Sequence, residues 1–133
     1  MTRFSKSRNS ILLFANRNIE EISIPSNIKI ISSFAFNNCK KLRKVEFPTN
    51  SKLETIGPNA FSSSGIEGIS IPSSVSKTHK SAFDDCRNIQ IIEISEKSKL
   101  KSFPSPSHFK NSPNLVIMFP QTLKRLVVKK IKH

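Results

Sequence analysis

A short motif returns along this chain at a nearly constant interval, and a repeat of that period leaves few architectures open. Its first copy runs Ile22-Ser23-Ile24-Pro25, then Ile28 and Ile31, then Ala35-Phe36, Cys39 and Leu42. Runs of the same form begin at Ile22, Val45, Ile69, Ile92 and Ile117, spaced 23, 24, 23 and 25 residues apart. Apolar–polar alternation over so few residues predicts a short, half-buried strand. Pro25, Pro48, Pro72 and Pro120 follow four of these runs; proline cannot donate to a ladder, so it closes a strand. Ala-Phe pairs stand at Ala35-Phe36, Ala60-Phe61 and Ala82-Phe83, with a degraded copy at His108-Phe109. Three residues after each Phe comes a small residue: Cys39, Ser64, Cys86 or Ser112.

A unit near 23 residues cannot bury its own apolar face and needs a neighbour above and below. Stacking sets equivalent positions about 4.8 Å apart. The isoleucines then form continuous core columns, and Phe36, Phe61, Phe83 and Phe109 form an aromatic spine. The link after the strand alternates in length: short in PSNIKI and PSSVSK, two residues longer in PTNSKLETI and SEKSKLKSF. Ile22 to Ile69 and Val45 to Ile92 both span 47 residues, so a pair of repeats is the natural unit of duplication. The expected organisation is an N-terminal cap over residues 1–18, repeats over 19–122, and a basic C-terminal cap or tail over 123–133. Lys129, Lys130 and Lys132 in that last segment suit an end that must not pair with another molecule.

The motif as it stands in ISIPSNIKIISSFAFNNCKKLRKV, FPTNSKLETIGPNAFSSSGIEGI and IPSSVSKTHKSAFDDCRNIQII resembles the BspA-like leucine-rich repeat, over residues 19–126. The resemblance implies a leucine-rich-repeat solenoid, mainly β. A parallel strand ladder would line its concave side, with short helical or turn segments opposite at the Ala-Phe-x-x-Cys part. It also implies a binding or adhesion role without enzymatic activity.

The residues agree with a non-enzyme. Cys39 and Cys86 share a column two repeats apart, about 10 Å in a stack, which is beyond the span of a disulfide. They read as small buried residues under the turn, since Ser64 and Ser112 replace them in the same column. His79, His108 and His133 occupy unrelated columns, so no zinc site is expected. Asp84-Asp85 stands where other copies have Asn37-Asn38 and Ser62-Ser63, a polar turn and not an acid–base pair. Glycine occurs only at 57, 65 and 68, too few to cradle a phosphate. No cofactor is expected.

Binding is then left to exposed side chains. With 22 Lys+Arg against 9 Asp+Glu, the formal charge of +13 draws anionic partners. The links carry Lys29, Lys52, Lys77, Lys97, Lys99, Lys101, Lys124 and Arg125, expected to fall along one ridge. On the ladder's outer face one column is expected to read Ser23, Glu46, Ser70, Glu93, Met118, and its neighbour Glu21, Lys44, Gly68, Ile91, Val116. Ile91 and Met118 are candidate anchors at its apolar end. The expected function is a protein–protein interaction module that docks on an acidic partner within a larger assembly. One alternative is a polyanion or nucleic-acid binder restricted to phosphate contacts, because the core pattern or a cap claims every phenylalanine and leaves none to stack on bases. The other is a cell-surface adhesin fragment. The apolar run Ile11–Ala15 is too short for a signal-peptide core or a membrane span, so an intracellular location is expected, with surface or secreted as the alternative.

Overall fold

The computed structural model describes residues 4–6, 10–118 and 120. The five motif strands form one parallel sheet: β3 (Glu21–Ser23), β5 (Lys44–Glu46), β7 (Gly68–Ile71), β9 (Ile91–Ile94) and β10 (Val116–Met118). The register is the one that alternation demands, because a slip of one residue would turn every isoleucine outward. Ile22 pairs with Val45, Ile69 with Ile92, and Ile92 with Ile117. The flanking columns run Glu21, Lys44, Gly68, Ile91, Val116 on one side. On the other, Ser23 pairs with Glu46, and Glu93 pairs with both Ser70 and Met118.

Each strand ends in a tight turn. The N–H groups of Ile28, Ser51, Val75 and Ser98 donate back to the carbonyls of Pro25, Pro48, Pro72 and Ser95 at 3.0–3.2 Å. The chain then enters a second parallel sheet, which the sequence reading treated as plain links. Its members are β4 (Ile30–Ile31), β6 (Thr55–Ile56) and β8 (Lys77–Thr78), extended by a bridge from Lys77 to Ser102. At the N-terminal end β2 (Ile11–Ala15) joins this sheet in parallel with β4, and β1 (Phe4–Lys6) pairs antiparallel with β2.

The Ala-Phe-x-x-Cys segments are turns, not helices; among the described residues the one helix is the 3-10 turn Pro106–Phe109 in the degraded copy. Each segment is a succession of i→i+3 bonds interrupted by a residue in the left-handed region: Asn38 at φ 61°, Ser63 at 58° and Asp85 at 57°. Two of these three are residue types that tolerate such a backbone. The turns are also bonded coil to coil. Phe36 N–H donates to Ala60 O at 2.7 Å, and Phe61 N–H to Ala82 O at 2.8 Å. The first three coils are therefore tied to one another by backbone bonds at three places around the circumference, and the fourth turn is tied to the third by Ser112 Oγ donating to Cys86 O.

The core is a bundle of columns. Phe36, Phe61, Phe83 and Phe109 are buried and stack in order, with ring centroids 4.9, 5.6 and 6.4 Å apart. One column is imperfect: Thr78 occupies the place of Ile31 and Ile56, 1 % exposed, and its hydroxyl has no hydrogen-bond partner. An orphaned buried hydroxyl costs about 1–3 kcal/mol. Thr78→Val, which keeps the shape and removes the hydroxyl, is expected to raise unfolding stability by about 1 kcal/mol, read as a higher urea midpoint at constant m. An unchanged midpoint would mean that the hydroxyl finds a partner in solution. The expected C-terminal cap, 123–133, and residues 1–3 and 7–9 of the N-terminal one lie outside the described residues.

Candidate functional site

Cys39 and Cys86 are free thiols, each fully buried under its turn. Cys86 Sγ donates to Phe61 O at 3.0 Å and lies 3.7 Å from Ser64 Oγ, while Ser112 Oγ donates to Cys86 O at 2.7 Å. Burial pushes the Cys86 thiol up to about 12, so it stays protonated and poorly nucleophilic at neutral pH. Cys39 is also shifted upward by burial, opposed by a contact from Arg17 Nη1 at 3.4 Å. His108 Nδ1 meets Asp84 Oδ1 at 3.4 Å and Asn111 donates to Asp85, so both aspartates serve the turn stack. Among the described residues no group of three or more His, Cys, Asp or Glu could hold a metal ion.

Lys29, Lys52, Lys77, Lys97, Lys99 and Lys101 are all exposed, but they do not form one column. Backbone bonds chain Lys29 to Glu54, Glu54 to Ser76 and Ser76 to Lys101 at 2.7, 2.9 and 2.7 Å. Lys52 and Lys99 hold equivalent places in alternate coils, donating to Ser26 O and Ser73 O at 2.9 and 3.0 Å. Lys77 stands in a third column with Thr55 and Ser102. The expected single ridge is thus a strip several columns wide. The longer links set Lys52 and Lys99 two places before the Lys29 column, and Lys77 stands one place past it. Glu54 further separates Lys29 from Lys101, which weakens the repulsion that a single column of like charges would create. Lys124 and Arg125 lie outside the described residues.

The first sheet's outer face grades from charged to apolar along the stack. Lys44 Nζ pairs with Glu46 at 3.5 Å, and Ser70 Oγ donates to Glu93 Oε1 at 2.9 Å. Gly68 leaves a shallow depression between Lys44 and Ile91, bounded by Glu46 and Glu93. Beyond it Ile91 is half-buried, and Val116 and Met118 are 48 % and 53 % exposed.

A third surface was not legible in the sequence. Leu13, Phe14 and Phe34 are exposed at the N-terminal end of the second sheet, and Phe34 sits at φ 62°. The next coil has Asn59, at φ 53°, in the corresponding turn. Arg17 fastens this corner: Nη1 donates to Ala15 O and Ala35 O at 3.0 and 3.1 Å, and Nη2 to Phe34 O at 3.3 Å. The φ signal resides in tertiary packing, so the Phe-Ala-Phe string alone gives no hint of it.

Among the described residues no helix is long and apolar enough to cross a membrane. No curated protein sequence matches the chain. Solved structures do resemble it in fold. A leucine-rich cell surface protein from Faecalibacterium prausnitzii aligns at 21 % identity and TM-score 0.58, covering 97 % of this chain and 40 % of that one. The pneumococcal vaccine antigen PcpA aligns at 18 % identity and TM-score 0.52, covering 79 % of this chain and 40 % of that one. The chain therefore spans well under half the length of either structure. The model of the BspA-type leucine-rich repeat region matches residues 10–129 in six copies. With that span, the two parallel ladders and the stacked Ala-Phe turns, the chain belongs to the BspA-type leucine-rich repeat family.

Proposed function

We propose that this chain is a non-catalytic interaction module that docks on an acidic protein surface through its link lysines. The observation that carries this reading is the exposure of Lys29, Lys52, Lys77, Lys97, Lys99 and Lys101, with Glu54 the one carboxylate chained among them by backbone bonds. Among the described residues none of these lysines makes an ion pair within 4.0 Å. Lys97 lies in the turn that Ser98 closes onto Ser95, and Lys99 and Lys101 follow it within four residues, all three exposed. Lys124 and Arg125 continue the basic sequence, and Ile91 and Met118 supply apolar area on the ladder face. Family membership supports protein binding, and leucine-rich-repeat proteins of this kind are generally not enzymes.

The experiment is affinity capture from native lysate at moderate salt. The triple variant Lys97→Glu, Lys99→Glu and Lys101→Glu is expected to lose at least about tenfold in partner recovery, because the change both removes attraction and adds repulsion. Equal recovery with the variant sinks the lysine reading. Capture of nucleic acid in place of protein, with a steep fall as salt rises, moves the assignment to a polyanion binder.

A second reading, display at a cell surface, draws on the fold shared with a protein described as a cell surface protein and with a vaccine antigen. It replaces the intracellular placement if protease applied to intact cells removes the native protein.

A further inference from the structure

We infer that the corner formed by Leu13, Phe14 and Phe34 is a contact site for an anionic lipid surface. Three of the five large hydrophobic side chains exposed among the described residues gather here, at 41 %, 57 % and 52 %. The parallel pairing of β2 with β4 carries Leu13 and Phe14 to the coil that holds Phe34: Ser32 Oγ donates to Leu13 O at 3.0 Å and Ala15 N–H to Ala35 O at 2.8 Å.

Phe34 is held at φ 62°, a backbone that disfavours any residue with a bulky side chain. The side chain gains no burial in return, since about half of it meets solvent. Arg17 holds the turn in this form by donating to the Phe34 and Ala35 carbonyls. A strained, braced and exposed aromatic is the pattern of a residue kept for contact.

The chemistry around the corner selects the partner. Lys29 N–H bonds to Ser10 O at 2.8 Å, which sets Lys29 beside the start of β2. Arg17, bonded to the Phe34 and Ala35 carbonyls, sets a second cation at the corner itself. Both side chains are exposed. Of the carboxylates nearest in sequence, Glu20 directly precedes the other ladder and Glu21 lies in it. Aromatic and aliphatic side chains projecting from a corner need no matching pocket at a bilayer interface, and flanking cations meet its anionic headgroups. A protein partner would have to present an apolar hollow ringed with acids.

Co-sedimentation tests this, with vesicles of pure phosphatidylcholine and of equimolar phosphatidylcholine and phosphatidylserine. The wild-type chain is expected to pellet with the mixed vesicles, and less as salt rises. Phe34→Asn is the informative variant, because asparagine accepts this backbone. It is expected to raise Tm by about 4 °C while lowering vesicle binding at least about tenfold. Phe14→Ser should lower binding similarly, and Lys29→Glu should weaken the preference for phosphatidylserine. Binding that survives both phenylalanine changes is adsorption by net charge and overturns the proposal. Failure of the wild-type chain to pellet with either vesicle also overturns it.

Discussion

Replacing Phe61 with alanine is expected to lower unfolding stability by about 4 kcal/mol, a large share of the roughly 5–15 kcal/mol available to a domain of this size. Phe61 is fully buried, with its ring 4.9 Å from that of Phe36 and 5.6 Å from that of Phe83, both parallel to within 4°. Alanine would leave a void in mid-stack that the bonded turns above and below cannot close. It would also remove two aromatic contacts at once, each worth about 0.5–1.5 kcal/mol beyond burial. Among the described residues Phe36 stacks on Phe61 alone, so Phe36→Ala should cost about 1 kcal/mol less. Urea titration of both variants measures the difference. A cost below about 1 kcal/mol for Phe61→Ala would mean that the stack is not the centre of the core.

Gly65→Ala is expected to be nearly as damaging, at about 3 kcal/mol, for a purely steric reason. Gly65 is not in the left-handed region, so backbone freedom is not the issue. A Cβ there would lie 2.3 Å from Lys40 O and 3.0 Å from Leu42 O, both backbone atoms of the preceding coil. Phe61 to Ile69 spans eight residues, whereas Phe36 to Val45 spans nine, and Gly65 N–H donates to Cys39 O at 3.1 Å. The chain must cut the corner across the Lys40 carbonyl. Gly57 and Gly68 set the scale. A Cβ at Gly57 meets Ile31 O at 3.0 Å, a moderate clash with backbone. One at Gly68 meets only the Ile91 Cγ2 tip at 3.0 Å, which can swing aside on an open face. The expected order of destabilisation is Gly65, then Gly57, then Gly68 close to neutral. Thermal unfolding of the three alanine variants would contradict the steric account if Gly68 proved as costly as Gly65.

The first ladder was legible residue by residue, because strict alternation admits one register and its prolines mark where each strand stops. The Phe and Cys/Ser columns were legible for the same reason: identity at a fixed offset requires stacking. The second ladder was not, since two-residue strands such as Ile30–Ile31 are too short for any periodicity. The only trace was the recurring pair of apolar residues three apart, Ile28 and Ile31 or Leu53 and Ile56. The lysines were expected on one ridge, but the two extra residues of the longer links move Lys52 and Lys99 off the Lys29 column and bring Glu54 into it. Asn38, Asn59 and Asp85 advertised left-handed turns by residue type. Phe34 concealed one.

The triple tie between successive coils also governs how the chain reaches its native state. Partners across ladders and turns are separated by about one coil, as in Ile31 with Ile56 or Phe61 with Ala82. Closing each new coil therefore meets the same loop entropy as the one before. The barrier lies in bringing the first two coils together; later coils add to a template already formed. The closest ring pair, Phe36 on Phe61, marks where that template is best defined. Growth from there toward either end would make the folding rate nearly independent of how many coils follow.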